Sequence, residues 1–355
     1  MNAKRYDVID LSGLRRDESI PVAVNNNGDV IGRTNRFRSG TKEYQSPKGF
    51  LWENGRVTNL KTIAPKSIND HGWIVGREVV AENATLSDRQ RDLALPPEFP
   101  IVNYTALCDI NNSNTIVGWL QLPLDAPYSD RVRNAAFLCE EAGFRYLEIE
   151  DGCVMSEAVK VNDAGCAVGH FKRPPVEGGL THSAVAAIWD NAALCKIEPM
   201  PGFNETYALD VNDCGQVLCR AVVNRIMDVL DRNLKPKVLT AEELTRPCFR
   251  QCAFIYSNDK IKFLKSAHNP WWDVHIAHAL NNHGQVVGTS GCGPTLSEIP
   301  LAFLYENAEF YDLNALIDSG IDWTLYSAVD INDHGQIVGT GEHQGRRTGF
   351  LLNPI

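Results

Sequence analysis

The chain has 355 residues, and 34 Lys+Arg against 44 Asp+Glu leave a net charge of −10, an acidic balance that argues against general nucleic-acid binding. Hydrophobic residues make up 44% and charged residues 22%, ordinary globular values, and no run of about 18 apolar residues offers a membrane span. Ten cysteines, scattered from Cys108 to Cys292, read as small hydrophobes in apolar runs rather than as a disulfide framework. With no apolar leader visible at the N-terminus, the cytoplasm is the expected location. Export with the leader removed is the alternative.

The first predicted element, Tyr6–Leu11, is a lone strand with no partner strand before it. From there one pattern recurs seven times, at 24–32, 68–76, 110–118, 161–169, 211–219, 280–288 and 331–339. The first copy reads Val-Asn-Asn-Asn-Gly-Asp-Val-Ile-Gly and the last Ile-Asn-Asp-His-Gly-Gln-Ile-Val-Gly. Each is a tight hairpin. Asn at the first turn position folds its side chain back on the backbone, and Gly at the fourth takes the left-handed conformation. In the third copy Asn114 stands where the others have Gly, and Asn is the next residue to tolerate that conformation.

An aromatic strand, a short turn and another strand follow most copies: Gly49–Trp52 with Val57–Leu60, Ala136–Cys139 with Tyr146–Ile149, then strands opening at Ala187, Ala253 and Ala302. The stretch between Arg77 and Ala106 lacks the aromatic strand and holds Pro96, Pro97 and Pro100; its outer strands are expected at 91–95 and 101–104, if present. The chain ends on Gly349–Leu352 with no strand after it. The first segment would therefore complete the last unit, hiding both edges. Four strands per repeat, at a mean spacing of about 51 residues, describe an all-β, single-domain β-propeller over 1–355. Seven blades are expected, six being the alternative, with one inserted loop at 221–252 where Thr240–Glu243 has capping-box spacing for a short helix.

The Ile-Asn-Asp-x-Gly-x-Val-Val-Gly turn and the Ala-Phe-Leu-Trp strand resemble the HAF repeat family of probable extracellular repeats, over nearly the whole chain. The histidine that names the family, ahead of Ala-Phe, is replaced here by residues such as Lys48, Ala135, Cys252 and Leu301. The resemblance implies a propeller and supplies no activity or catalytic residue.

In an antiparallel meander the connections alternate between two faces. The A–B and C–D turns are short throughout. The B–C loops are long (34–48, 78–100, 120–134, 171–185, 221–252 and 290–301), as is the D–A loop at 265–276, so irregular sequence collects on one face, where binding sites usually lie. The residue after the Val-Gly of strand B varies around the ring: Arg33, Arg77, Trp119, His170, Arg220, Thr289, Thr340. Strand A adds Glu157, Glu205, Tyr207, His275 and Tyr326 toward the same face, with Asp109, Lys160, Asp210 and Asp330 at its midpoint able to pair across the channel. Trp271 and Trp272, with His268, His275 and His278, make an aromatic, basic loop. His275 and His278 lie three apart, on opposite sides of a strand, so no metal pair is expected.

Two functions fit. The first is a binding module for a small polar or anionic ligand or a protein partner, with Arg33, Arg77, Trp119, Arg220, Trp271 and Trp272 as contacts, since Arg forks suit carboxylates and phosphates. The second is a small-molecule enzyme doing lyase, isomerase or cyclase acid–base chemistry, with His170 or His275 as base and Glu157, Glu205, Tyr207 and Tyr326 nearby. No cofactor, nucleic-acid or membrane partner is expected.

Overall fold

The structure is a computed structural model. It describes residues 5–12, 18–35, 48–60, 63–78, 84–87, 92–93, 105–122, 134–141, 143–153, 155–175, 182–191, 193–224, 249–265, 276–290 and 300–355. The expected helix near 240–247 and the Trp271–His275 loop lie outside the described residues.

Strand β1 (Tyr6–Asp10) comes first. Blade 1 is β2 (Glu18–Val24), β3 (Val30–Asn35), β4 (Lys48–Glu53) and β5 (Arg56–Asn59). Blade 2 is β6 (Ile63–Ile68), β7 (Ile74–Glu78), β8 (Ala84–Ser87) and β9 (Asp92–Leu93). Blade 3 is β10 (Thr105–Ile110), β11 (Ile116–Gln121), β12 (Asn134–Glu140) and β13 (Gly143–Tyr146). Blade 4 is β14 (Met155–Val161), β15 (Ala167–Arg173), β16 (Ser183–Asp190) and β17 (Ala193–Ile197). Blade 5 is β18 (Glu205–Val211), β19 (Val217–Asn224), β20 (Phe249–Ser257) and β21 (Lys260–Phe263). Blade 6 is β22 (Ile276–Leu280), β23 (Val286–Ser290), β24 (Leu301–Glu306) and β25 (Glu309–Asp312). Blade 7 is β26 (Trp323–Ile331), β27 (Ile337–His343) and β28 (Arg346–Pro354). It takes β1 as its outer strand, in the order β1-β28-β27-β26, so the seven four-stranded sheets form a β-propeller.

The closure pairs Tyr6 with Pro354 through Asp10 with Phe350. Asp10 also meets His343 Nδ1 at 2.8 Å, and the Trp323 ring stacks on His343 at 4.6 Å. The expected outer strands of blade 2 are corrected: they lie at Ala84–Ser87 and Asp92–Leu93. The connection between β7 and β8 is therefore short. That of blade 5 runs from Asn224 to Phe249, inside the 221–252 expected.

Each interface between neighbouring blades has its own apolar cluster. Trp189, Phe171 and Val185 of blade 4 pack on Val117, Ala136 and Leu138 of blade 3. Phe350, Leu325 and Ile337 of blade 7 pack on Leu304, Val287 and Ala302 of blade 6, and Leu351 and Val338 of blade 7 on Val24 and Val30 of blade 1. Fully burying each such side chain stabilises the ring by roughly 2 kcal/mol.

Every A strand carries a bulge three residues before its turn Asn, as between Leu107 and Asp109 or Ala277 and Ala279. The bulge presses a strand A carbonyl onto strand B, so a Cβ on Gly118 would collide with the Ala106 carbonyl and one on Gly339 with that of Ser327. This favours glycine at the end of the repeat, where six of the seven copies have it and blade 5 has Cys219. The turns follow the expected geometry: Gly28 and Gly335 have φ of 80° and 74°, and Asn114 takes their place at 61°.

Candidate functional site

The first Asn of every turn does two jobs. Its Oδ1 caps its own turn, as Asn111 Oδ1 accepts from Thr115 N at 2.8 Å. Its Nδ2 crosses to the next blade and donates to the backbone carbonyl of the next turn's first Asn. The bonds run from Asn25 to Asn69 (3.0 Å), Asn69 to Asn111 (2.9 Å), Asn111 to Asn162 (2.8 Å) and Asn162 to Asn212 (3.0 Å). They continue from Asn212 to Asn281 (3.0 Å), Asn281 to Asn332 (3.0 Å) and Asn332 back to Asn25 (2.8 Å). The circle is closed, and all seven side chains are buried.

The second turn residues form another circle outside it. Each backbone N–H donates to the side-chain Oδ1 of the next, from Asn26 N to Asp70 (2.7 Å) around to Asp333 N and Asn26 (3.0 Å). In this circle Asn112 Nδ2 bridges Asp70 and Asp163, both at 2.9 Å, and Asn282 Nδ2 bridges Asp213 at 2.8 Å and Asp333 at 2.9 Å. Asn26 bridges Asp70 and Asp333 in the same way. Asp163 and Asp213 stand side by side. A cavity of about 170 Å³ opens inside these circles.

One level deeper sit the midpoint charges. Lys160 Nζ lies 3.5 Å from Asp109, so the expected pairing across the channel exists. Burial would lower the Lys160 ammonium, but the carboxylates of Asp109, Asp210 and Asp330 hold it above its ordinary range. Burial pushes Asp210 up to about 7 and raises Asp330. Each carboxylate also caps the next blade: Asp109 accepts from Val161 N at 2.9 Å, Asp210 from Leu280 N at 2.8 Å and Asp330 from Val24 N at 2.8 Å. This end of the channel is a fastening made of polar groups.

Toward the loop side the repeats diverge. Glu157 lies opposite His170 across strands A and B of blade 4, and Tyr207 opposite Arg220 in blade 5. The His170 and Tyr207 rings meet edge to face at 4.9 Å. The Arg220 guanidinium lies over the Tyr207 ring at 5.0 Å, and the Tyr207 hydroxyl donates to Glu205 Oε2 at 3.2 Å. Among the described residues Arg220 Nε is buried with no hydrogen-bond partner, a costly state for part of a cation. Burial, then Lys172 and Arg220, lower His170 to about 4. Burial and Arg220 also lower His278, and burial and Glu205 hold the Tyr207 phenol above its usual range. Arg220 thus acts on both His170 and His278, in a belt across blades 4 to 6. The belt continues: His278 Nε2 lies 3.1 Å from Thr289 Oγ1, which lies 2.7 Å from Ser327 Oγ of blade 7.

Of the residues expected from sequence, Glu157, His170, Glu205, Tyr207 and Arg220 come together. Tyr326 does not join them; its hydroxyl donates to Glu342 at 3.0 Å, with Arg347 over its ring at 5.9 Å. Arg33 is exposed on β3 of blade 1, opposite Ile20. Trp119 is half-buried on β11, between Ala106 and Ala136. Arg77 ends in side-chain positions outside the described residues, as do His275, Trp271 and Trp272. The alternation applied to His275 and His278 is corrected for His278, which occupies the bulge of its strand and leaves the pleat. Among the described residues no group of three or more His, Cys, Asp or Glu is placed to hold a metal ion, and no helix is long and apolar enough to cross a membrane.

No family model and no curated protein matches this chain. Solved structures do. The β-propeller domain of the Trilobed protease from Pyrococcus furiosus, with an open velcro topology, aligns over 99% of this chain and 94% of its own, at 11% identity and a TM-score of 0.56. Acylaminoacyl peptidase from Pyrococcus horikoshii aligns over 95% of this chain at 12% identity and a TM-score of 0.56, and the match spans about half of that protein, 52%. A streptogramin B lyase aligns over 99% of this chain and 98% of its own, at 12% identity and a TM-score of 0.50. At such identities the likeness is one of fold.

Proposed function

We propose that the protein is a β-propeller binding module that takes a small polar or anionic ligand at the belt around Arg220. One observation carries this reading: the Arg220 Nε is buried and unpartnered while its neighbours His170 and His278 are disfavoured as cations. A ligand anion would supply the missing acceptor, and a charge-assisted bond in a dry site is among the stronger polar contacts. The repeated turn and aromatic strand support membership of the HAF repeat family as part of the same reading.

An acid–base enzyme on the same residues is the second reading, favoured by the Tyr207–Glu205 bond beside a neutral imidazole. A general base works best with a pKa near the working pH. His170, near 4, is poorly matched to that task, so binding takes precedence. The similar propellers include a lyase, which supports the second reading no further than a shared fold.

The test is ligand-observed NMR with a panel of small carboxylates and phosphates against the intact protein and an Arg220→Gln variant of equal thermal stability. Binding that falls at least about tenfold in the variant, or roughly 1.4 kcal/mol, supports the reading. Equal binding by both proteins refutes it.

A further inference from the structure

Three arginines occupy the strand B position that follows the repeat, and only one is paired with an aromatic residue. Arg33 lies opposite Ile20, Arg77 opposite Ala64 and Arg220 opposite Tyr207. The remaining blades place Ala106, Glu157, Ile276 and Ser327 where blade 5 has Tyr207, so the fold does not ask for a phenol there. Arg33 is exposed, whereas Arg220 is half-buried.

Tyr207 is held from three sides. The His170 ring meets it edge to face at 4.9 Å, the Arg220 guanidinium lies over it at 5.0 Å, and its hydroxyl donates to Glu205 Oε2 at 3.2 Å. A ring attracts a cation through its face, and that contact leaves the guanidinium N–H groups, which lie in the plane, free to donate. A carboxylate would take those donors instead. One is at hand: Glu205 precedes Tyr207 by two residues and is the diagonal neighbour of Arg220 across strands A and B, a spacing that long side chains bridge. It is near enough to act on the Arg220 charge. Yet among the described residues no ion pair joins the two. The Glu205 carboxylate accepts from the Tyr207 hydroxyl, and Arg220 Nε is left without an acceptor. Burial and Glu205 hold the phenol above its usual range, so the hydroxyl keeps its proton and goes on donating.

We propose that Tyr207 is a positioning residue for anion binding: its ring supports the Arg220 guanidinium, and its hydroxyl keeps the Glu205 carboxylate off the donors that a ligand anion would use. This rests on the anion-binding reading of Arg220 above and adds what keeps the cation free for a ligand.

The test follows the Arg220 Nε–H resonance of the isotope-labelled full-length protein, identified by its loss in Arg220→Gln. Tyr207→Phe keeps the ring and removes the hydroxyl. In the ligand-free protein this variant is expected to move the resonance downfield, as Glu205 turns to Arg220, and adding Glu205→Gln is expected to return it. Titrated with inorganic phosphate, Tyr207→Phe is expected to bind about fivefold or more weakly than the wild type, the scale of one redirected hydrogen bond. The gain from Glu205→Gln is expected to be at least about threefold larger without the Tyr207 hydroxyl than with it, the mark of coupled neighbours. A resonance unmoved by Tyr207→Phe, or phosphate bound as tightly by that variant as by the wild type, overturns the positioning role and leaves the anion reading standing. An equal gain from Glu205→Gln in both backgrounds also overturns it, since Glu205 would then act only as a distant charge. Phosphate that leaves the wild-type resonance in place overturns the anion reading, and the positioning role with it.

Discussion

At the turn end of the channel the same Asn does the same work in all seven blades, its amide clasping the next carbonyl at 2.8 to 3.0 Å. Half a strand away, equivalent positions of consecutive blades hold His170, Arg220 and Thr289; the first two share the Tyr207 ring and the third meets Ser327. The scaffold is common to both levels. Where a repeat repeats its side chains, they hold blade to blade; where it lets them diverge, the fold does not require any of them. The turn end therefore reports on stability, and the belt is where the proposed binding would sit, even though the cavity of about 170 Å³ lies at the turn end.

The sharpest way to break this contrast is Asn281→Asp. The carboxylate can still accept from Gln285 N and His283 N, as Asn281 Oδ1 does, so the turn is kept. The Nδ2 donor to Asn332 O and to Gln285 Oε1 is lost, and a buried negative charge takes its place against a carbonyl. A loss of about 3–5 kcal/mol in urea unfolding is expected. A loss below about 1 kcal/mol would remove the amide circle from the account of stability.

At the belt, the expected effect is a pH dependence. The folded His170 titrates near 4, below its ordinary value of 6.5, so between those values the unfolded chain binds the extra proton. Stability should fall as the pH drops from about 6.5 to about 4, by up to roughly 3 kcal/mol from this residue. His170→Asn should flatten the profile in that window. Identical slopes for the two proteins would show that the imidazole is not held neutral.

The smallest effect returns to the turn end. Asp163→Asn removes one of two adjacent carboxylates in the outer circle and is expected to stabilise the protein by roughly a few tenths of a kcal/mol at low salt, less at high salt. A destabilised variant would mean that the Asp163 oxygens matter more as acceptors than as charges.

Much of this was legible in the sequence. Asn-Asx-x-Gly gave the hairpins, the aromatic strands gave the blades, and the unpaired first strand gave the closure onto Gly349–Leu352. The blade 2 outer strands were misplaced because Ala84–Ser87 and Asp92–Leu93 are short and lack the aromatic residue that marks the other blades. The Asn circle joins residues 42 to 69 apart, and 307 apart at the closure, so no local pattern holds it. One signal was there: the turn needs only an acceptor at its first position, which Asp or Ser would supply, yet Asn stands there every time. The excess was the donor. The belt was half legible. The positions after Val-Gly and the entry positions of strand A put His170, Arg220, Glu157, Glu205 and Tyr207 on one face, but their pairing came only with the structure, and the bulge that frees His278 leaves no mark in a period-two reading.

The outer circle obeys an arithmetic of its own. Going round, its members are Asn26, Asp70, Asn112, Asp163, Asp213, Asn282 and Asp333. Every amide bridges two acids, the arrangement of a two-coloured ring. Seven is odd, and an odd ring cannot be coloured in two alternating colours without one pair of like neighbours. The inner circle escapes this, because each Asn both gives and takes in a single direction and such a chain closes at any number. The outer one cannot, so a frustrated junction is the arithmetic consequence of having seven blades, and substitution can move it but not abolish it. Here it falls between blades 4 and 5, the same interface that His170 and Tyr207 span at the other level. A propeller with six or eight blades could satisfy every junction; this one keeps a seam beside its belt.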